Sequence, residues 1–215
     1  MTLKDRKLAH RIYLYLGALF ITSLVVSNLI FQKFFYWNPF GDFTVFGVSL
    51  FEISVGILPY PITFLITDLI SEIYGRKMAN QIVTAGIFAS FFSMGIILVA
   101  EVAPAIPSSP IDDTTFTQVF ALSPIAVLAS MIAYLLAQYV DVAIYHFWKK
   151  LTKGKYLWLR NNFSTFLSQF LDTFTVVALL CVFKVLPWNL FFGLVVSGFI
   201  FKIFIAFIDT PFLYF

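Results

Sequence analysis

Apolar residues run in long blocks along this chain, and polar residues gather in short segments between them. The blocks predict six helices, over about 12–31, 48–73, 79–101, 118–148, 163–184 and 189–214. Each reaches the ~20 residues a helix needs to cross the hydrocarbon of a bilayer. The second, fourth and sixth are long enough to tilt or to project. Composition strengthens the reading. Of 215 residues, 60% are hydrophobic and 12% charged, where ordinary soluble domains carry ~25% charged residues. The 28 Phe outnumber the 14 Lys and Arg, so a soluble fold could not cover itself. The chain reads as an all-α integral membrane protein, one six-helix transmembrane domain over 1–215. No stretch remains for a large soluble catalytic domain, and nucleic-acid binding is a poor explanation of the net charge of +3.

Charge placement sets direction. Lys4, Arg6, Lys7 and Arg11 precede the first span, Arg76 and Lys77 follow the second, and Lys149, Lys150, Lys153, Lys155 and Arg160 follow the fourth. The opposite side has Lys33 and Lys184 beside the acids Asp42, Glu101, Asp112 and Asp113. The excess of basic residues places both termini in the cytoplasm. The 20-residue run Ile12 to Phe31 exceeds the roughly 7–15 residues of a signal-peptide core and reads as a retained span. Cys181 is alone, so no intrachain disulfide forms. His10 and His146 are both interfacial by position and give no basis for a metal site; no cofactor is implied.

A charge at the bilayer centre costs about 2.5–3.5 kcal/mol even on the lenient insertion scale, so each one asks for a reason. Asp172 in the fifth span and Lys202 in the sixth lie near mid-span on consecutive, antiparallel helices, and an ion pair would offset part of the burial of both. Asp68, Asp141 and Asp209 lie deeper toward the cytoplasm, with Lys202 and Asp209 on one face of the sixth helix. Glu72 shares a face with Asp68 and is also placed to cap the helix end beside Arg76 and Lys77. In the fifth span, Asn161, Asn162, Ser164, Thr165, Ser168, Gln169, Asp172, Thr173 and Thr175 fill one half of the helical wheel, and Phe163, Phe166, Leu167, Phe170, Leu171 and Phe174 fill the other. Interhelical hydrogen bonds would use such a stripe, but nine polar positions with a carboxylate point rather to a cavity wall. A weaker stripe, Ser130, Tyr134, Gln138, Asp141 and Tyr145, follows the fourth span; Asp141 and Tyr145 would equally suit a helix end touching interfacial water. Asn28 in the first span suits either a ligand or a neighbouring helix.

The second span is interrupted by Gly56, Pro59 and Pro61. Proline donates no backbone hydrogen bond and disfavours helix just before it, so a broken helix is expected, its second half opening at Pro61 and carrying Thr63, Asp68 and Glu72. Irregular backbone at this depth is tolerated where it is buried or lines a cavity. Six spans also divide into two sets of three. Thr63-Phe64-Leu65 with Asp68 and Thr165-Phe166-Leu167 with Asp172 fall on the two middle helices, a pattern compatible with a 3+3 inverted repeat.

The stretch Tyr60-Pro61-Ile62-Thr63-Phe64-Leu65 with Asp68, Glu72, Ile73, Tyr74 and Gly75 resembles the signature of the queuosine precursor transporter family, also described as vitamin uptake transporters. The resemblance continues at Ala133-Tyr134 with Gln138 and Asp141, at Leu159-Arg160-Asn161-Asn162 with Ser164, Thr165, Ser168, Gln169, Asp172 and Thr173, and at Asp209-Thr210-Pro211. It implies a transporter of the bacterial inner membrane, with no enzymatic activity, that imports 7-deazaguanine bases such as the cyano and aminomethyl queuosine precursors, or queuine, for salvage into tRNA. A purine-like substrate of this kind matches Asp172, Gln169 and Asn162 as polar contacts, Tyr60, Tyr134 and Gln138 around them, and Asn28 from the first span. Lys202 would hold Asp172, while Asp68, Asp141, Asp209 and Glu72 offer a proton relay. Two other classes compete, beside a structural or assembly protein, for which a polar cavity wall would be unneeded. One is a binding subunit driven by an ATPase partner, since the chain lacks GxxxxGK[ST] of its own. The other is an intramembrane enzyme, disfavoured by the lack of HExxH and GxSxG. A homodimer is compatible with either transport reading.

Overall fold

The computed structural model describes residues 3–31, 33–36, 41, 44–45, 48–49, 52–120, 124–184 and 186–209. Seven α-helices are present among them: α1 (Leu3–Ile30), α2 (Tyr60–Ile73), α3 (Arg76–Val102), α4 (Asp113–Phe120), α5 (Pro124–Leu151), α6 (Leu157–Val182) and α7 (Phe191–Asp209). Four short strands, β1 (Phe34–Tyr36), β2 (Thr44–Val45), β3 (Val48–Ser49) and β4 (Glu52–Ser54), lie between α1 and α2, and a 3-10 turn, Val55–Ile57, leads into α2. Six segments are long and apolar enough to cross a membrane: Arg6–Ile30, Val55–Ile73, Arg76–Val102, Leu128–Leu151, Asn162–Val182 and Trp188–Phe207.

The six expected spans are all represented, with two corrections. The described residues of this segment, 48–49 and 52–54, are not the first half of a broken helix. They form strands: β4 pairs antiparallel with β1 (Phe34↔Ser54, Phe35↔Ile53, Tyr36↔Glu52) and β3 with β2 (Thr44↔Ser49, Val45↔Val48). The residues Phe51-Glu52-Ile53-Ser54-Val55 alternate apolar and polar, which is a strand period. The prolines at 59 and 61 uncouple them from the helix beyond. Ile53 is thereby buried against Phe201 of α7. The second correction is at the fourth span, expected from 118. Residues 113–120 form the separate helix α4, and α5 starts at Pro124, where a proline costs no helical hydrogen bond.

Side-chain contacts fix the relative directions of the helices. Gly17 of α1 meets Ile82 of α3, and Phe20 and Leu24 meet Gly86, so α1 and α3 run parallel. Phe64 and Tyr134 pair at 6.2 Å, and further along Glu72 meets Tyr145, so α2 and α5 run parallel. α6 runs against α5, with Trp148 on Phe163 and Asp141 on Ser168. α7 runs against α6, with Phe166 on Phe207 and Phe174 on Phe191. The first, third and fifth spans thus point one way and the second, fourth and sixth the other, as serial crossings of one bilayer require. The main core joins α1, α2, α3 and α5 through Phe20, Leu24, Phe64, Ile70, Val83 and Tyr134. Phe88 and Phe92 stack on the outside of α3, fully in the position of lipid-facing groups.

α1 and the entry to α2 approach very closely. Ser27 donates to the Gly56 carbonyl and Ser54 to the Phe31 carbonyl. A Cβ at Gly56 would lie 2.6 Å from the Ser27 carbonyl oxygen and 2.7 Å from the Phe31 Cα. These are backbone atoms that cannot turn aside. Gly56→Ala is expected to lower stability by roughly 1–3 kcal/mol, the usual range for overpacking, read as an earlier thermal unfolding transition in detergent.

Outside the spans, Asp112 caps α4: its carboxylate accepts from the Thr115 N–H at 2.8 Å and the Thr114 hydroxyl at 2.8 Å. Hydrogen bonds from Thr115, then Thr114, hold its pKa down from 3.8 to about 2. Because the folded value is depressed, the cap is fully effective above pH 3.8 and is lost as pH falls through about 2. Amide exchange in 113–120 is expected to speed up over that window, measured relative to α5, and to be fast at all pH values in Asp112→Ala.

Candidate functional site

α2 begins at Tyr60 with Pro61 in its first turn. Residues 60, 64 and 68 then share one face, and that face turns toward α5, α6 and α7. Tyr60, Phe64, Leu65 and Asp68 of α2, Thr165 and Gln169 of α6, and Lys202 and Ala206 of α7 line a cleft there. Its volume of ≈ 20 Å³ suits about one water, whereas small-molecule pockets run to ~300–1,000 Å³. The cleft is closed as it stands.

An ion pair closes it. Lys202 Nζ lies 2.5 Å from Asp172 Oδ2, with both side chains nearly buried, and 4.8 Å from the centroid of the Tyr60 ring. The lysine therefore has a carboxylate on one side and a π-face on the other. The Tyr60 phenol sits beside the same carboxylate. Tyr60 in turn packs edge-on against Tyr134 at 5.2 Å and against Phe64 at 5.6 Å. Gln138 Nε2 donates to the Tyr134 hydroxyl at 2.8 Å. The ion pair uses only one carboxylate oxygen. Asp172 Oδ1 and Gln169 Oε1, one helical turn apart on α6 and buried, have no hydrogen-bond partner among the described residues, nor does Gln138 Oε1.

A second polar group lies one turn along. Asp141 is fully buried and Asp68 nearly so. Ser168 Oγ donates to Asp141 Oδ1 at 2.8 Å, and Thr165 Oγ1 lies 3.5 Å from Asp68 Oδ2. Asp68 and Ser164 are further polar neighbours of Asp141. A further turn on, Tyr145 donates to Glu72 Oε2 at 2.9 Å, and Lys149 Nζ lies 2.8 Å from the same oxygen. There the Glu72 and Lys149 side chains are about one-third exposed, while Tyr145 is buried.

The residues singled out by sequence therefore fall into distinct places. Tyr60, Gln169, Asp172, Lys202 and Asp68 meet at or beside the cleft, with Tyr134 and Gln138 in the layer behind Tyr60. Asp141 is buried against Ser168, and Glu72 is at the wet end of α2. Asn162 is buried but its amide donates back to the Trp158 carbonyl at 2.8 Å. Asn28 is half-buried on α1 and does not line the cleft. Asp209 ends α7, and its side chain lies outside the described residues. The polar stripe of α6 faces inward as its wheel required, but most of it is sealed between helices. Thr165 and Gln169 reach the cleft, while Ser164, Ser168 and Thr173 do not. Phe64 and Ala206 were missed as lining residues. Their signal was spacing, each lying four residues from a candidate, Tyr60 and Lys202.

A charged, amide-bearing cleft is thus shut between three of the six helices long and apolar enough to cross a membrane. Residues 54–215 match the family model described as "Putative vitamin uptake transporter", and the chain belongs to that family: it is a multi-pass membrane transporter and not an enzyme. Every helix that lines the cleft lies within the matched region. The chain is also 29% identical over 172 residues to a protein of Bacillus subtilis (strain 168) named "Probable queuosine precursor transporter", an overlap of 78% of this chain and 73% of that one. No solved structure matches it.

Removing one member of a buried pair strands the other charge, at a cost of about 3–5 kcal/mol. Asp172→Asn is therefore expected to unfold at clearly lower temperature than wild type in detergent. Asp172→Asn with Lys202→Met is expected to recover much of the loss, because no charge is left unpaired. A double variant less stable than the single one would remove the ion pair from this account.

Proposed function

We propose that this protein carries queuosine precursors, 7-deazaguanine bases such as the cyano and aminomethyl forms or queuine, inward across the bacterial cytoplasmic membrane for tRNA salvage. The observation that carries the reading is the pair of acceptors at mid-span, Asp172 Oδ1 and Gln169 Oε1, that have no hydrogen-bond partner among the described residues. A guanine-like edge presents a ring N–H and an exocyclic amine side by side, the donor pair that two such acceptors match. Donation to a buried carboxylate is worth roughly 1.5–3 kcal/mol. Tyr60, Phe64 and Tyr134 supply aromatic faces for the flat heterocycle, and Lys202 neutralises Asp172 between transport events. The name of the Bacillus subtilis relative supports the substrate class.

Loading requires the cleft to widen, and the lysine–carboxylate pair with the Tyr60 ring is what must part. Both termini face the cytoplasm in this reading. The basic residues Arg76, Lys77, Lys149, Lys150, Lys153 and Lys155 gather at the α2–α3 and α5–α6 connections, the ends where α1 starts and α7 stops, as cytoplasmic loops require. The pairing of the first three spans with the last three as inverted repeats is part of the same proposal. It would place the cleft at the repeat interface.

A bacterium unable to make queuosine, given traces of 7-cyano-7-deazaguanine, is expected to regain queuosine in its tRNA when it expresses this protein. At equal membrane expression, Asp172→Asn is expected to abolish the recovery. Gln169→Leu, which leaves the ion pair in place, is expected to reduce uptake by about tenfold, the equivalent of one hydrogen bond of ~1.4 kcal/mol. Full modification with Asp172→Asn would contradict the site, and no modification with correctly inserted wild type would contradict the substrate.

A further inference from the structure

The turn between α5 and α6 presents cations that the ion pairs within the bundle leave over. Residues 149–160 hold Lys149, Lys150, Lys153, Lys155 and Arg160 and no acid. Lys149 turns inward, its Nζ 2.8 Å from Glu72 Oε2. Lys150, Lys153 and Lys155 are exposed and make no ion pair among the described residues. The turn that carries them is fixed. The Gly154 N–H donates to the Lys149 carbonyl at 2.9 Å and the Lys155 N–H to the Thr152 carbonyl at 3.0 Å. The Thr152 hydroxyl donates to the Trp148 carbonyl at 2.8 Å. Lys153, Gly154 and Tyr156 have left-handed backbone, with φ of 51°, 78° and 55°. Two of the three are not glycine, so the contacts of the turn hold the chain where it does not go by preference. Three ammonium groups thus project from one short, ordered turn.

An exposed apolar belt adjoins them. Phe147 and Leu151 at the end of α5, with Tyr156 and Trp158 at the start of α6, are 50–64% exposed. Trp148 packs on Phe163 at 5.2 Å, which holds the two helix ends together beside the turn. Both helices contain a membrane-crossing segment, Leu128–Leu151 and Asn162–Val182, so the turn stands at the level of lipid headgroups, where Trp and Tyr are enriched. A lysine there lays its methylenes on the belt and carries its ammonium to the phosphates. A soluble anion would use the lysines and leave the belt in water. A zwitterionic lipid would bring a cation of its own toward three others. We propose that this turn is a docking surface for an anionic two-chain phospholipid. Its phosphate lies on Lys150, Lys153 and Lys155, and its acyl chains lie along Phe147, Leu151, Tyr156 and Trp158. Each lysine beside an anionic lipid surface contributes roughly fivefold in affinity. Because the lipid binds the folded turn, it stabilises the folded bundle. The substrate and the cleft play no part in this site. Arg6, Lys7 and Arg11 are exposed as well, but they are strung along α1 and not gathered on a turn.

Thermal unfolding of the purified protein in a neutral detergent tests the site, with phosphatidylglycerol, phosphatidylcholine and inorganic phosphate as probes. Phosphatidylglycerol is expected to raise the unfolding temperature, and the other two to leave it nearly unchanged. Lys150→Gln, Lys153→Gln and Lys155→Gln combined are expected to abolish the rise and to weaken phosphatidylglycerol binding about a hundredfold, the product of three fivefold steps. Arg6→Gln, Lys7→Gln and Arg11→Gln combined remove the same charge elsewhere and are expected to preserve the rise. Acetylation of the wild type needs no variant. Phosphatidylglycerol is expected to slow modification of Lys150, Lys153 and Lys155 more than that of exposed Lys77, read by peptide mass spectrometry. A rise that survives loss of the three turn lysines, or that disappears equally with the three α1 cations, would overturn the proposal. Equal slowing of acetylation at Lys77 would do the same. Equal stabilisation by inorganic phosphate would make this a soluble-anion site, and equal stabilisation by phosphatidylcholine would make the contact indifferent to charge; either would also overturn it.

Discussion

Burying opposite charges between helices is the constraint around which this structure is built. Asp172 and Lys202 are each too costly to leave alone in a low-dielectric interior, so α6 and α7 pack antiparallel in the one register that brings them to 2.5 Å. The Phe166–Phe207 and Phe174–Phe191 contacts on either side follow from that register. Lys202 then requires a surface on its remaining side, and the Tyr60 ring provides it. Tyr60 can stand there only because α2 begins there. Pro59 and Pro61 end the irregular stretch and start the helix at this depth, and the close approach of Gly56 to α1 holds that start in place.

The same constraint repeats along α2 and α5. Their shared face carries the rungs Phe64·Tyr134, Asp68·Asp141 and Glu72·Tyr145, passing from aromatic to doubly acidic to a water-touching ion pair. α6 closes the side with Ser168 and Thr165. Polar groups lie inside because each finds a hydroxyl, carboxylate or ammonium partner there, while phenylalanines turn outward, where lipid tolerates them. A sealed polar seam with a small cleft at one end suits a transporter better than an open pore. It is stable while closed, and the cleft's few contacts must break for it to open.

Much of this was legible in the chain. Run length gave the spans. The wheel of 161–175 separated the two faces of α6: Phe163, Leu167, Phe170 and Phe174 are 38–48% exposed, while Ser164, Ser168 and Asp172 are buried. The shared depth of Asp172 and Lys202 on antiparallel neighbours pointed to their contact. What was not legible has physical causes. The alternation of 51–55 was hidden inside an apolar run, so strands were read as helix. A wheel shows that Asn162 faces inward but not that its amide turns back to Trp158. A polar face looks the same whether water or another helix covers it, so the stripe read as a cavity wall is largely a dry seam. Asp141 was as suited to an interfacial helix end as to the interior, and only the packing of α2 and α6 around it places it among the fully buried groups.

The central claim is that substrate occupies the space between α2, α6 and α7 beside the Asp172–Lys202 pair. Leu65 lines that space, and Cys181 is the chain's one cysteine, so Leu65→Cys in a Cys181→Ser background places a single thiol at the cleft. The most direct measurement is its rate of alkylation by a small maleimide with and without saturating 7-cyano-7-deazaguanine. The account predicts strong slowing by the precursor, and loss of that protection when Gln169→Leu is added. An alkylation rate that the precursor leaves unchanged, in a protein that still transports it, would contradict the account.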